Sequence, residues 1–360
     1  MSRPTRAMIS LDNLRHNAAH AASLAPNARL MAVVKANGYG HGAGVVAAAL
    51  SAHASAFAVA SLEEAACLRD RGITQPILLL EGVFSASEIV EAAALDTWTM
   101  ITCREQLNWL CEARLKAPMT CWLKIDTGMH RLGIAPEDAD DFLGKLRGTA
   151  NASRDVVLCT HFSRADELEQ DETRQQLACF LATCAGSGCA RSAANSPAVL
   201  AWPDTHLDWI RPGYMLYGDS PFTEHLRQAD ALKPAMTLVS RVIAVRDVPA
   251  GDAVGYGATW RATRPSRIAT VTAGYGDGYP RTAANGTPVL VNGQRAPLAG
   301  RVSMDMLTVD VTDLPPVQMG DPVTLWGEHL PVGEVARHAD TIGYELVTRM
   351  PPRVPREVTR

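Results

Sequence analysis

No two of the eight cysteines stand at CxxC spacing, and all of them (Cys67, Cys103, Cys111, Cys121, Cys159, Cys179, Cys184 and Cys189) lie in the first 190 of 360 residues. This excludes a zinc ribbon and a vicinal redox pair, so no metal site is expected and reduced thiols are the simplest state. A basic excess is also missing. The 34 Lys+Arg against 38 Asp+Glu give a net charge of -4, which offers no general attraction to a phosphate backbone or an anionic bilayer, so neither nucleic acid nor membrane is expected as a partner. The opening stretch MSRPTRAMISLDNLRHN has no apolar core of an export signal, which points to a cytoplasmic protein. Residues 43–62 carry no formal charge over a membrane-spanning length, but alanine and serine dominate and His53 sits mid-run. That segment reads as a helix followed by a buried strand. No internal repeat and no low-complexity linker is present.

What is there is enough apolar material for a large core: 47% of residues are hydrophobic and 20% charged, which excludes a disordered or fibrous chain. The length fits one large domain plus a smaller one. From about residue 28 short apolar runs alternate with amphipathic segments: ARLMAVV, AFAVAS, PILLLEG, TWTMI, TCWLKID, DVVLCTH, RSAAN and LDWIRP. Between them lie helix-like stretches such as SLEEAACLRDRG, which closes on a glycine after its last turn. Eight alternations predict an α/β fold, a (β/α)8 barrel, with an open doubly wound sheet as the alternative. Near residue 235 the texture changes to strand-like runs, MTLVSRVIAV, SRIATVTAGYG, PVLV, MLTVDV and PVTLW, with an Asn292-Gly293 turn. The expected division is a barrel over 1–235 and a mostly-β domain over 236–360.

In such a barrel chemistry sits at the C-terminal ends of the strands. The first run ends in Lys35 within AVVKANGYGHG; the fifth ends in Lys124 and Asp126 and turns through Gly128 to Arg131. The sixth ends in His161, the seventh in Asn195 and Ser196, and the eighth in Arg211, followed by Pro212, Gly213 and Tyr214. Singly, each has an ordinary structural reading: a snorkelling lysine, a core histidine, ion-paired arginines, a serine capping the helix that starts at Pro197. Together they outline an anionic ligand with one phosphate and an electrophilic carbonyl, since a helix-start hydroxyl and the amides near Gly213 make a phosphate seat and desolvation favours the neutral, nucleophilic form of an amine. Pyridoxal 5′-phosphate (PLP) has those features.

AVVKANGYGHG resembles the lysine signature of the alanine racemases, and LKIDTGMHRLG, THFSRAD, AANSPA, IRPGYMLYG, VGYGATW, AGYGDGYPR and GRVSMDM carry the resemblance over essentially the whole chain. The resemblance implies a (β/α)8 barrel with a C-terminal β domain, PLP as cofactor, and a homodimer with shared active sites. It also implies L- and D-alanine as substrates, so that the enzyme provides or consumes D-alanine. Carried over by match, Lys35 is the residue that bonds PLP, with Tyr39 in the same pocket. His161, Asn195, Ser196, Arg211, Gly213 and Tyr214 match cofactor-binding positions, Arg211 facing the pyridine nitrogen. Arg131, Met304 and Tyr275 match positions around the substrate carboxylate, Tyr256 matches the second catalytic base, and Lys124 matches a lysine often carbamylated in the family. One departure stands out: many members have an aromatic phosphate contact just before the RVPR segment, where this chain has Pro352.

The chemistry can also be argued directly. Racemisation requires a proton to leave one face of the α-carbon and return on the other, most simply through two groups on opposite faces. Lys35 supplies one; Tyr256, flanked by Gly255 and Gly257, which permit close backbone approach, supplies the other. A tyrosine base near neutrality needs positive charge beside it, which Arg131 would provide. A permanently charged Arg211 opposes protonation of the cofactor ring and weakens its pull on electrons, which favours racemisation over side reactions. A barrel-type PLP decarboxylase would instead be expected to place a carboxylate there. A non-enzymatic PLP carrier would need neither Tyr256, Tyr275 and Met304 nor a second domain. Side-chain selectivity is expected to be loose, since one methylene changes binding by only about 1–3 kcal/mol.

Overall fold

The computed structural model describes residues 3–360; Met1 and Ser2, at the start of the first expected domain, lie outside the described residues. The eight expected runs form eight parallel strands: Arg29–Val33, Ala56–Val59, Ile77–Leu79, Thr97–Ile101, Cys121–Lys124, Val157–Cys159, Ala190–Ser192 and Trp209–Ile210. Each pairs with the next, and the last returns to the first through Arg29 opposite Trp209 and Leu30 opposite Ile210, so the sheet is a closed barrel rather than an open one. Strands such as Ala56–Val59 and Ile77–Leu79 are buried along their whole length, which is why they read as unbroken apolar runs without alternation. Local capping sets the helices between them. Ser61 accepts the Glu64 N–H at the start of Leu62–Asp70, and Gly72, at a φ of 79°, turns the chain back after its last turn. Near the N-terminal ends of the strands Trp98, Trp122 and Trp209 pack together with ring centroids 5.6–6.3 Å apart. The Arg29 guanidinium lies 4.2 Å above Trp209. This plugs the end of the barrel opposite the functional one.

The second sheet has eight strands, built on the long strand Met236–Val248. Pro288–Val291 and Gln294–Pro297 form a hairpin whose turn residues Asn292 and Gly293 both have positive φ, 50° and 78°, the left-handed pair that Asn-Gly favours. One strand departs from the expected division. Arg6–Ser10, on the barrel side of a boundary at 235, pairs antiparallel with Met236–Val248 and parallel with Arg356–Thr359 in the second sheet. The reason is its pattern: Ala7 and Ile9 are buried while their neighbours are half-buried, the alternation of a sheet packed on one face rather than of a barrel strand. Among the described residues no helix is long and apolar enough to cross a membrane.

Asn17, fully buried on the helix Leu11–Leu24, ties the barrel to the segment that enters the second sheet. Its amide donates to the carbonyls of Leu216 (3.0 Å) and Lys233 (2.8 Å), and its oxygen accepts the Lys233 N–H (2.9 Å). Asn17→Ala leaves these backbone groups without partners and is expected to lower stability by about 1–3 kcal/mol. Reversible thermal or denaturant unfolding of the variant checks this; an unchanged midpoint would show that the bridge contributes nothing.

Candidate active site

A cavity of about 1100 Å³ opens at the C-terminal ends of the barrel strands, where the helices Val332–Arg337 and Gly343–Thr348 of the second domain also reach it. Ten barrel residues singled out from the sequence line it, Lys35, Tyr39, Lys124, Arg131, His161, Asn195, Ser196, Arg211, Gly213 and Tyr214, whereas Asp126, Gly128 and Pro212 do not.

Lys35 starts a tight turn in which Ala36, Asn37, Gly38 and Tyr39 all have positive φ, 52°, 55°, 62° and 49°. Left-handed backbone costs roughly 1–2 kcal/mol per residue outside glycine, so such a turn persists only when its surroundings hold it. Several groups do. The Glu64 carboxylate accepts the Ala36 N–H (2.6 Å) and the Ala60 N–H (2.9 Å), joining the ends of the first two strands. The Asn37 side chain accepts the Ala43 N–H at 3.0 Å. Arg356, from the last strand of the second sheet, donates to the Gly40 carbonyl at 2.9 Å. The sequence reading did not reach Glu64 or Arg356, whose contacts join residues 28 and 316 positions apart.

The next group is a set of amides. Asn195 caps the helix Ser196–Ala201 by accepting the Ala198 N–H. The Ser196 hydroxyl accepts the N–H groups of Gly213 (2.9 Å) and Met215 (3.2 Å), and among the described residues the Tyr214 N–H between them has no partner. A Cβ at Gly213 would stand 2.6 Å from the Tyr39 hydroxyl, so glycine is required for that approach. Burial pushes the Tyr39 phenol up to about 12, which keeps it a neutral donor. A hydroxyl, a phenol and a free amide at a helix start form an anion seat.

Deeper in, Arg211 is buried and its guanidinium donates to the Ser192 hydroxyl (2.5 Å) and to the carbonyls of Thr160 (2.5 Å) and Ala193 (3.3 Å). Its hydrogen-bond partners include no carboxylate. Burial, then the charges of Arg211, Lys124, Arg131 and Lys35, hold His161 well below its usual range, so its imidazole is neutral. Burial chiefly, with Arg211, Arg131 and Lys35 adding to it, also lowers Lys124. Arg131 reaches the cavity from a loop ordered by Asp126, whose Oδ1 accepts the N–H groups of Gly128, Met129 and His130 at 3.0–3.1 Å.

Tyr256, Tyr275 and Met304 are elsewhere. They lie on the surface of the second domain, 70%, 40% and 53% exposed, and do not line the cavity of their own chain. The aromatic sought at position 352 has a counterpart that the sequence reading missed. Tyr344, on the helix Gly343–Thr348, lines the cavity with its ring centroid 6.3 Å from that of Tyr39, whereas Pro352 does not reach it. The signal lay nine residues upstream of the RVPR motif, in IGYEL.

A closed barrel with a lysine at the end of its first strand, an anion seat at its last strands and a C-terminal β domain defines a two-domain barrel enzyme. The chain belongs to the alanine racemase family: the family model for the N-terminal domain of alanine racemase matches residues 9–221, and that for its C-terminal domain matches residues 235–358. It is 53% identical over 356 residues to an alanine racemase of Chromohalobacter salexigens, covering 99% of this chain and 98% of the relative. It is 50% identical to a catabolic alanine racemase of Pseudomonas putida, with 99% of each chain covered. The crystal structure of a biosynthetic alanine racemase from Pseudomonas aeruginosa superimposes with a TM-score of 0.96 at 50% identity, covering 99% of this chain and all of that one.

If the Ser196–Gly213–Tyr214 group is an anion seat, inorganic phosphate should raise the thermal midpoint of the ligand-free protein in a concentration-dependent way. Ser196→Ala should shrink that shift. Scanning fluorimetry across a phosphate series at constant ionic strength is the measurement, and an equal shift in both proteins would remove the seat.

Proposed function

We propose that the chain interconverts L- and D-alanine with PLP held in the barrel cavity, Lys35 and Tyr256 moving the α-proton on opposite faces. The observation that carries this reading is the meeting, in one cavity, of Lys35, the anion seat and a buried arginine without a carboxylate partner. The residues fit the cofactor chemically. Ser196, Tyr39 and the Tyr214 amide would hold its phosphate, Arg211 would face its ring nitrogen with neutral His161 nearby, and Lys35 would bond its aldehyde carbon. Bound PLP supplies a conjugated ring that takes up the electron pair left when an amino acid loses its α-proton.

The protein's own groups do the rest. The Lys35 amine, when free, would accept the α-proton on one face or return it there. Arg131, which lines the cavity, would orient the substrate carboxylate, with Met304 and Tyr275 of a second copy completing that side. Arg211, held by one hydroxyl and two carbonyls, stays charged and opposes protonation of the ring nitrogen, which restrains electron withdrawal and so disfavours transamination and decarboxylation. A carbamate on Lys124 would put one anion among these cations, and the lowered affinity of that amine for its proton favours the neutral form that adds carbon dioxide.

Tyr256 is 70% exposed on its own chain, so the reading needs a second copy: in a head-to-tail homodimer each β domain covers the partner's barrel and supplies Tyr256, Tyr275 and Met304. Small-molecule amino acid substrate and a second copy of this chain are then the only partners required.

Lys35→Ala is expected to abolish racemisation, followed by polarimetry with L-alanine, and to prevent borohydride from fixing PLP to the protein by mass spectrometry. Fixation in that variant would place the link on another residue. Sharing of the site is tested by mixing: Lys35→Ala and Tyr256→Ala chains, each nearly inactive, are unfolded together and reassembled. Random assortment makes about half the dimers mixed, each with one intact site of two, so activity should recover to roughly a quarter of wild type. Proven heterodimers that remain inactive would refute the shared site.

A further inference from the structure

The anion seat is joined to the second domain through a carboxylate that the proposed chemistry does not use. The Tyr214 hydroxyl donates to Asp219 Oδ2 at 2.5 Å. The Tyr214 ring lies against that of Tyr344, from the helix Gly343–Thr348, with centroids 3.7 Å apart and planes inclined by 14°. Two glycines of the second domain are fitted around this pair. A Cβ at Gly343 would fall 1.8 Å from the Tyr214 hydroxyl, and one at Gly333 would fall 2.8 Å from Asp219 Oδ2. Neither glycine has a left-handed backbone, so close approach to Tyr214 and Asp219, and not turn geometry, is what a side chain there would violate.

The position of the charge sharpens the point. Asp219 lines the same cavity as Ser196 and Gly213, where a carboxylate opposes the binding of any anion. Burial raises the affinity of this carboxyl for its proton, and the Tyr214 hydroxyl, which donates to Oδ2, works against that, so this oxygen is turned to the protein and not to a ligand. An acidic group is tolerated there because of what it holds.

We propose that Asp219 is a positioning residue for the cofactor phosphate: by anchoring Tyr214 it fixes both the amide-bearing turn at Gly213–Tyr214 and the stacked ring of Tyr344, so the seat is complete only when the C-terminal helices are docked on the barrel. This rests on PLP as the ligand of the cavity. The role belongs to acceptor geometry and not to negative charge, which makes a conservative pair of substitutions decisive. Asp219→Asn keeps an oxygen for the Tyr214 hydroxyl and removes the repelling charge; Asp219→Leu removes both.

The experiment is titration of PLP into the full-length ligand-free protein, followed by absorbance and by the rate of PLP loss on dilution. Asp219→Leu should weaken PLP binding by about tenfold, the effect of leaving one buried donor without its acceptor. Asp219→Asn should bind as tightly as wild type or tighter, and Gly343→Ala, which intrudes on Tyr214 from the other domain, should reproduce the loss. Arg69→Met controls for general destabilisation. Its guanidinium ties barrel loops through the carbonyls of Ile73, Gln75, Leu95 and Asp96, outside the cavity, so it should lower the thermal midpoint without moving the PLP affinity. Equal affinity of Asp219→Leu and wild type overturns the inference, as does an Asp219→Asn loss as large as that of Asp219→Leu, or an Arg69→Met loss of the same size. Wild type that takes up no PLP overturns the cofactor reading and this inference together.

Discussion

A buried guanidinium without a carboxylate is an unstable arrangement unless its donors are satisfied and some electron-rich group shares its space. Arg211 is such a group, fixed by Ser192, Thr160 and Ala193 at the closed end of the cavity. The rest of the site follows from it. His161 beside it is forced to be neutral, and Lys124 is pushed toward its neutral amine. The cavity therefore has a built-in preference for anions and lone pairs, and the Ser196 hydroxyl and the Tyr214 amide point the same way. Substitution of an acid for Arg211 would reverse the preference of the deep end while leaving the anion seat intact, and on the proposed reading it is this charge that would set a racemase-like site apart from other uses of the same barrel.

The second constraint is how Lys35 is held. A turn with four successive left-handed residues is not a conformation that Ala36 and Tyr39 would choose. It is imposed by contacts from both domains: Glu64 from the barrel, Arg356 from the last strand of the second sheet. The pairing of Arg6–Ser10 with Arg356–Thr359 brings the two chain ends together next to this turn. Threading the first strand through the second sheet thus ties the domains covalently at both ends of the barrel sequence, and docking of the β domain becomes part of the geometry of the lysine.

Much of this was legible in the sequence, and the pattern of what was not is physical. Barrel strands buried on both faces announce themselves as apolar runs, and the residue following each run is necessarily at the strand's C-terminal end, so Lys35, His161, Asn195 and Arg211 could be found by position alone. Arg6–Ser10, on the barrel side of an expected boundary at 235, pairs in the second sheet; five residues carry too little pattern to say which sheet they join, and the burial of Ala7 and Ile9 in three dimensions decides it. Tyr344 was missed because the aromatic was sought beside the RVPR motif, whereas the short helix Gly343–Thr348 delivers a ring to the cavity from further upstream. Glu64, Asp219 and Arg356 act through contacts whose partners come from other elements, and nothing in the local sequence marks a carboxylate as one that holds a tyrosine.

The exposed positions complete the logic of division. A tyrosine 70% open to solvent, flanked by glycines at φ of 76° and 74°, makes little sense as a packing residue, because glycines give up side-chain contacts and cost conformational entropy. They do allow the backbone to present the ring outward and to approach another surface closely. On the proposed reading, that surface is the mouth of a second barrel. One chain alone then holds the cofactor and one proton-transfer group, but no means of returning the proton to the opposite face. On that reading assembly would supply the missing group and close the mouth in the same step, so proton transfer on both faces and exclusion of water would arise together from a single interface.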